Sequence, residues 1–285
     1  MLTKSLNYWS LPGGLEGTLD VSTFMKEAKA CGFDGVELAV GDPGSALGTD
    51  ATEERCILIL EEAQRIGVEV TSVASGLYWE RNLADSDAAV RRAALDDLKS
   101  MLQIASWLQV RTLLTIPGAV DVFFLPNRAP LSYRHVWDHA TEGLRQAVSV
   151  AEECEVRIGI ENVWNKFLTS PQDMASFIDQ FDSEWIGAYV DVANLLPFGH
   201  AEDWIRHLGH RVVGVHFKDF RRAVGTVEGF VDLLEGDVNW PEVVAALKEI
   251  RYDGACVAEL IPCYRHYPIV RAQNASRAMD AILGK

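Results

Sequence analysis

The sequence predicts an α/β protein folded as a single closed (β/α)8 barrel spanning residues 1–285. Three observations predict it. Short β-branched or apolar runs alternate with longer segments of helical spacing, which argues for parallel strands joined by crossover helices. Eight such strand–helix units can be counted, and eight units fit 285 residues as one closed barrel. No Pro/Gly/Ser-rich linker or shift in composition divides the chain. An open doubly wound sheet is the alternative, and the absence of a glycine-rich dinucleotide fingerprint after the first strand counts against it.

The strands are expected at residues 5–9, 35–40, 68–74, 110–116, 157–162, 187–191, 212–217 and 255–260. Between them, apolar residues recur at spacings of three and four. Val21, Phe24, Met25 and Ala28 make one helical face, Ala94, Leu98, Met101 and Ala105 another, and Val243, Leu247 and Ile250 a third. Gly32 and Gly67 sit where helices should stop. Ser170-Pro171 and Asn239-Trp240-Pro241 read as helix starts with proline in the first turn. One long irregular stretch, residues 218–238, follows the seventh strand and is expected to lie over the C-terminal mouth of the barrel.

Composition narrows the function classes. The chain carries 26 basic and 41 acidic residues, a net charge of −15. That acidity opposes binding to nucleic acid and to anionic membranes, where basic patches supply affinity. No apolar run approaches the roughly 18 residues needed to span a bilayer. The five cysteines (Cys31, Cys56, Cys154, Cys256, Cys263) are scattered, odd in number and without a CxxC pair. A disulfide framework and a zinc knuckle are therefore not expected, and a reducing cytoplasm is.

The polar residues fall in an informative place. Four successive strands, the fifth to the eighth, each end in a candidate metal ligand: Glu161 in GIENVW, Asp191 in YVDVAN, His216 in VVGVHFKD and Glu259 in CVAEL. Strand ends at the C-terminal face are where barrel enzymes keep their active sites. Neighbouring strands lie about 4.8 Å apart, so four consecutive ends can converge. Three carboxylates and an imidazole would repel one another strongly without a cation among them. A ligand set rich in oxygen with one nitrogen suits Mn²⁺, Mg²⁺ or Co²⁺ better than sulfur-rich zinc sites, and Mn²⁺ is expected, with Zn²⁺ as a further alternative. The six remaining histidines fall in helical or flanking segments and read as solvated or capping groups.

Several weaker candidates surround this set. Glu37, at the end of the second strand, reads either as a partner for a substrate hydroxyl or as a structural ion pair. Trp9 and Trp164 follow strands one and five and either wall the apolar side of a sugar or simply pack. Lys218, Arg221 and Arg222 make a basic spot that suits a phosphate or sugar oxygen, with Lys166 able to add to it. The competing reading pairs them with Asp219, Glu228 and Asp232. No glycine-rich phosphate cradle is evident late in the barrel.

The chain resembles the xylose-isomerase-like TIM barrel superfamily, most closely its sugar and sugar-phosphate 3-epimerase branch, which includes D-tagatose 3-epimerase and L-xylulose-5-phosphate 3-epimerase. The resemblance runs from GFDGVEL to GACVAEL and is concentrated in the GIEN, DVAN, VHFKD and EGDVNW segments. It implies that Glu161, Asp191, His216 and Glu259 hold a divalent metal and that Glu161 and Glu259 exchange the substrate proton. It implies that Arg222 reaches the substrate oxygens near the metal. Asn194 stands where free-sugar epimerases often carry a histidine and resembles the DxGN form of phosphate-sugar members, which makes it a substrate-contact candidate. The glutamate often found some six residues after the first metal glutamate is absent, the segment running Asn165-Lys166-Phe167-Leu168.

The chemistry that follows is 3-epimerisation of a ketose. The substrate would chelate the metal through its C2 carbonyl and C3 hydroxyl, and the cation would stabilise a cis-enediolate. Two glutamates on opposite faces would remove and return the proton. The same pair can move a proton between C1 and C2, so aldose–ketose isomerisation is an alternative, as are inosose dehydration and a non-catalytic sugar-binding barrel. The DNA-repair members of the superfamily need histidines after strands three and four, where this chain has Ala74-Ser75-Gly76 and Ile116-Pro117-Gly118. The expected partners are a small sugar or sugar phosphate and further copies of the chain, as a homo-oligomeric dimer or tetramer.

Overall fold

The structure, a computed structural model, describes residues 2–125 and 128–285. In chain order the described strands are β1 (Thr3–Asn7), β2 (Gly35–Val40), β3 (Glu69–Ser75), β4 (Thr112–Thr115), β5 (Arg157–Glu161), β6 (Ile186–Asp191), β7 (Val212–Phe217), β8 (Asp219–Phe220), β9 (Phe230–Val231) and β10 (Ala255–Ala258). Eight of them close into an all-parallel barrel in the order β1-β10-β7-β6-β5-β4-β3-β2, with β1 pairing β2. This is the (β/α)8 barrel expected from the alternation, and its closure removes the open-sheet alternative.

Among the described residues, eight helices wrap the barrel: α1 (Val21–Ala30), α2 (Glu53–Ile66), α3 (Ala88–Trp107), α4 (Tyr133–Cys154), α5 (Pro171–Asp179), α6 (Ala201–Leu208), α7 (Trp240–Glu249) and α8 (Pro268–Leu283). Each presents one apolar stripe inward, as the spacing requires. On α1 the buried residues are Val21, Phe24, Met25 and Ala28, the four read from the sequence. The buried face of α3 includes Ala94, Leu98, Met101 and Ala105. On α7, Val243 and Leu247 are buried but Ile250 is the C-cap and only half-buried. Ser170 caps α5, accepting from the Asp173 amide, with Pro171 following. Gly67 ends α2 in the left-handed region at φ 80°, a conformation that favours glycine. Asn239 starts α7 without a side-chain cap bond.

Most expected strands shift at one or both ends by one or two residues, and two differences bear on the site. The first strand is residues 3–7 rather than 5–9, because the Asn7 side chain accepts from the Trp9 amide at 2.7 Å and turns the chain into a short 3-10 turn, Tyr8–Ser10. The stretch at 218–238 is mostly turns and bends, as expected, but it has a framework. It is an ordered excursion built on the short antiparallel pair β8–β9. The buried Asp219 carboxylate holds it, accepting from the amides of Phe220 (2.9 Å), Leu234 (3.0 Å) and Val238 (3.2 Å) and from Trp240 Nε1 (3.0 Å).

Inside the barrel, glycines make room for one large side chain. A Cβ on Gly214 would lie 2.4 Å from the Tyr189 ring and one on Gly159 3.0 Å from it. Glycines on the flanking strands β5 and β7 therefore let the Tyr189 ring lie inward from β6. Its hydroxyl reaches across the barrel to Glu37 on β2, at 2.6 Å.

Candidate active site

The four strand-end ligands meet. Glu161, Asp191, His216 and Glu259 each offer a ligand atom, these atoms lie within 4.8 Å of one another, and all four residues are buried. Strand register produces this. Asp191 pairs with His216 across β6 and β7, Glu161 ends β5 beside them, and Glu259 follows the last residue of β10 with its amide still bonded to Phe217 O at 3.2 Å.

The loops behind the ligands lock them in place. Asn162 Oδ1 accepts from the Asp191 amide and its Nδ2 donates to the Asp191 carbonyl, both at 2.9 Å, tying the end of β5 to the end of β6. Asp191 Oδ1 accepts from the amides of Ala193 (2.9 Å) and Asn194 (3.0 Å), which aims Oδ2 into the cluster. The Asn194 side chain donates to Asn162 O at 3.0 Å, and Trp164 Nε1 donates to Asn194 O at 3.0 Å. Asn194 therefore braces the ligand loops and also borders the cavity above them.

Below the ligands lies Glu37, and of its two sequence readings the structural ion pair is the one that forms. Glu37 does not reach the mouth to meet a substrate hydroxyl. It is fully buried beneath His216, with Oε1 accepting from Asn7 Nδ2 and His216 Nε2, each at 2.7 Å. Its Oε2 accepts from Ser72 Oγ (2.7 Å) and Tyr189 OH (2.6 Å). Asn7 and Ser72 are its cross-strand neighbours on β1 and β3, and the register shifts at Glu37 and again at Tyr189. Burial would raise the Glu37 carboxyl, but His216, Tyr189 and Asn7 together hold it below the ordinary carboxylate range. A carboxylate behind a histidine fixes ring orientation and raises basicity at the opposite nitrogen. Here that is Nδ1, which faces Glu161 Oε1 at 3.2 Å and Glu259 Oε2 at 3.9 Å.

The donor set fits a divalent cation, and two observations support the fit. Asp191 Oδ2 is buried and accepts no hydrogen bond, so only an ionic contact offsets its burial. Its nearest cation is the ammonium of Lys218, 3.0 Å away, which also contacts Glu259 Oε2. Lys218 thus carries positive charge into the cluster. Burial would lower its pKa, but Asp191, Glu259 and Glu161 raise it above the ordinary lysine value. Burial would likewise lower that of His216, but Glu37, Glu259 and Glu161 raise it well above the usual histidine value. Glu161 moves the other way for an acid: burial, with Glu259 and Asp191 adding, pushes it up to about 7 against the pull of His216. The Lys218 and His216 shifts report the carboxylates around them, and the Glu161 shift reports burial first.

The basic spot expected after the seventh strand does not form as one. Lys218 is committed to the ligand carboxylates instead of standing free for a terminal phosphate. Arg222 is 53% exposed, its amide bonded to Asp237 Oδ2 at 2.8 Å and its guanidinium directed to the same carboxylate. The turn after β8 leaves it on the surface, and it does not border the cavity that would hold a substrate. Arg221 donates to Glu235 O at 2.9 Å, and Lys166 pairs with Asp121.

Above the cluster opens a cavity of about 1070 Å³, bordered by Glu161, Glu259, Lys218 and Asn194 and by both tryptophans singled out in the sequence, Trp9 and Trp164. Trp164 packs against Phe220 (5.4 Å) and Phe230 (5.2 Å). The sequence reading missed Trp79, Phe123, Phe124, Phe230, Tyr264 and Arg271 on this wall. A signal existed for two of them: the Phe123-Phe124 pair stands in a loop with no helical or strand periodicity to bury it.

A closed parallel barrel gathers carboxylates and a histidine at its C-terminal rim, a set that could hold a metal ion. The comparisons assign the lineage. Residues 25–281 match the family model described as xylose isomerase-like TIM barrel, and the chain belongs to that family. It is 24% identical to L-ribulose-5-phosphate 3-epimerase UlaE of Salmonella paratyphi C, over 83% of this chain and 80% of that protein. It is 25% identical to D-psicose 3-epimerase of Enterocloster bolteae, over 88% of this chain and 79% of that one. Among solved structures, D-psicose 3-epimerase with D-tagatose from Clostridium cellulolyticum H10 superposes with a TM-score of 0.76 at 18% identity, covering 99% of each chain.

Proposed function

We propose that the protein is a divalent-metal-dependent ketose 3-epimerase. The observation that carries the reading is the convergence of Glu161, Asp191, His216 and Glu259, with an Asp191 Oδ2 that accepts no hydrogen bond and the Lys218 ammonium in ionic contact with it. The relatives named as 3-epimerases support the reaction class. Mn²⁺ suits this oxygen-rich set with one nitrogen. Held by the four side chains, such an ion supplies Lewis-acid polarisation of the ketose carbonyl, which acidifies the neighbouring C–H.

The chain's own groups do the rest. Glu37 holds the Nε2 proton of His216 and turns Nδ1 toward Glu161 in the ligand cluster. Asn162 and the amides of Ala193 and Asn194 fix Asp191. Glu161 and Glu259 come from β5 and from the end of β10, two strands separated in the barrel by β6 and β7. One carboxylate takes the C3 proton and the other returns a proton to the opposite face, the arrangement that inversion requires. Lys218 balances carboxylate charge at the same point. The five cysteines are free, which supports a reducing compartment. No described helix is long and apolar enough to cross a membrane.

The test is proton exchange. Mn²⁺-loaded protein incubated in D₂O with a panel of ketoses and ketose phosphates should place deuterium at C3. Label at C1 instead would reassign the enzyme as an aldose–ketose isomerase, and no label in any compound would refute the reading.

A further inference from the structure

The cavity is larger and more apolar than one ketose requires. Its volume of about 1070 Å³ reaches the top of the roughly 300–1,000 Å³ range typical for drug-sized ligands, and a monosaccharide is much smaller than those. Glu161, Glu259 and Lys218 line the deep end, and further charged groups stand among the aromatic residues of the wall. Toward the rim the wall is aromatic. Phe124 meets Trp79 edge-on at 5.0 Å and Phe123 at 5.2 Å, forming a ledge that rises from the site to solvent. Phe123 and Phe124 are 57% and 46% exposed, and Tyr264 borders the opposite side. Exposed apolar groups gathered along a groove mark a binding surface, and this groove is continuous with the ligand cluster.

Charge argues against a phosphate at that rim. Lys218 is tied to Asp191 and Glu259. Arg271 is buried and spends its guanidinium on Asp232 and Pro262 O. Arg265 is the remaining cation bordering the cavity, and Glu228, Asp232 and Glu235 border it too. Asp232 is neutralised by Arg271, so a dianion placed there would face the carboxylates of Glu228 and Glu235 against the single guanidinium of Arg265. A neutral sugar ring suits the same surface, because its C–H faces lie on aromatic rings while its hydroxyls reach the charged groups between them.

We propose that the substrate is a ketose bearing a second sugar ring on a distal hydroxyl, with the reacting unit at the ligand cluster and the second ring on the Trp79–Phe124–Phe123 ledge. This rests on the 3-epimerase reading. Binding energy from the remote ring would raise kcat/KM at the reacting carbon.

The experiment compares fructose, fructose 6-phosphate and 4-, 5- and 6-O-glucosylfructose with the Mn²⁺-loaded protein in D₂O. Deuterium at C3 gives kcat/KM, and tryptophan fluorescence quenching gives binding. The best disaccharide should exceed both fructose and its phosphate in kcat/KM by at least about tenfold, the equivalent of two or three aromatic contacts. In Phe124→Ala the disaccharide-to-fructose ratio should fall about three- to tenfold. Fructose or its phosphate equalling every disaccharide would overturn the proposal while leaving the epimerase reading intact. If no compound acquires deuterium, the epimerase reading fails and quenching decides the proposal alone. Saturable disaccharide binding tighter than that of fructose and weakened in Phe124→Ala would uphold it, and equal or absent binding would overturn it.

Discussion

Replacing Glu37 with glutamine should weaken Mn²⁺ binding by about ten- to a hundredfold, although Glu37 lies beneath the ligand cluster and offers it no ligand atom. Its Oε1 accepts from Asn7 and His216, and its Oε2 accepts from the hydroxyls of Ser72 and Tyr189. Glutamine is nearly isosteric but keeps only one acceptor oxygen. Turned toward Asn7 and His216, that oxygen preserves the tautomer, and the new amide N–H groups face two hydroxyls that can rotate to accept. The fold should therefore survive. Hydrogen bonds to ionised groups contribute about 1.5–3 kcal/mol and neutral ones about 0.5–1.5. The difference at His216, about 1–1.5 kcal/mol, is roughly tenfold in affinity. Loss of the negative charge behind the imidazole makes Nδ1 less basic and carries the effect toward the upper end. The assay is calorimetric titration of Mn²⁺ into EDTA-stripped protein, with a thermal melt of the same samples. A variant of unchanged Tm whose Mn²⁺ affinity stays within about threefold of the parent would refute the argument that Glu37 acts through His216.

Four further outcomes are expected. Stripping metal with EDTA should abolish proton exchange, and Mn²⁺ at about a hundred times its Kd should add about 2.7 kcal/mol of stability; an unmoved Tm would show that these four residues hold no ion. Glu161→Gln and Glu259→Gln should each slow C3 exchange by about 10²–10⁴-fold in a folded barrel, and a smaller loss in either would remove it from the proton relay. Lys218→Met takes the only lysine out of a carboxylate cluster, so the metal-free protein should lose up to about 3–5 kcal/mol and respond more strongly to Mn²⁺. Equal metal-free melts would contradict its charge-balancing role. Asp219→Ala leaves four donors without their acceptor and should destabilise the protein by at least about 3 kcal/mol. A melt matching the parent would mean that the 218–238 excursion is held some other way.

The barrel and its metal ligands were legible in the sequence for a local reason. Strand–helix alternation sets the crossover topology, and the end of a parallel strand faces one rim whatever its neighbours are, so Glu161, Asp191, His216 and Glu259 could be assigned to one place. Their convergence needed only that their strands be adjacent, which the chain order β5, β6, β7 and β10 supplies. Glu37 has the same sequence appearance, an acid in a short apolar strand, yet serves beneath the site. Its depth is set by the shift in register at Val36/Glu37 and by the inward Tyr189 ring, both consequences of barrel closure between residues far apart in the chain. The same limit explains the basic run 218–222. Adjacent residues leaving a strand are sent apart by the first turn of the loop, so Lys218 enters the carboxylate cluster while Arg222 faces solvent. The aromatic wall depends on loops from several barrel units meeting over one mouth, and hydrophobic periodicity carries no information about where such loops meet. Local patterning determined which elements form and which rim carries the chemistry; register and loop packing, which are decided only when distant strands close the barrel, determined what each polar side chain touches.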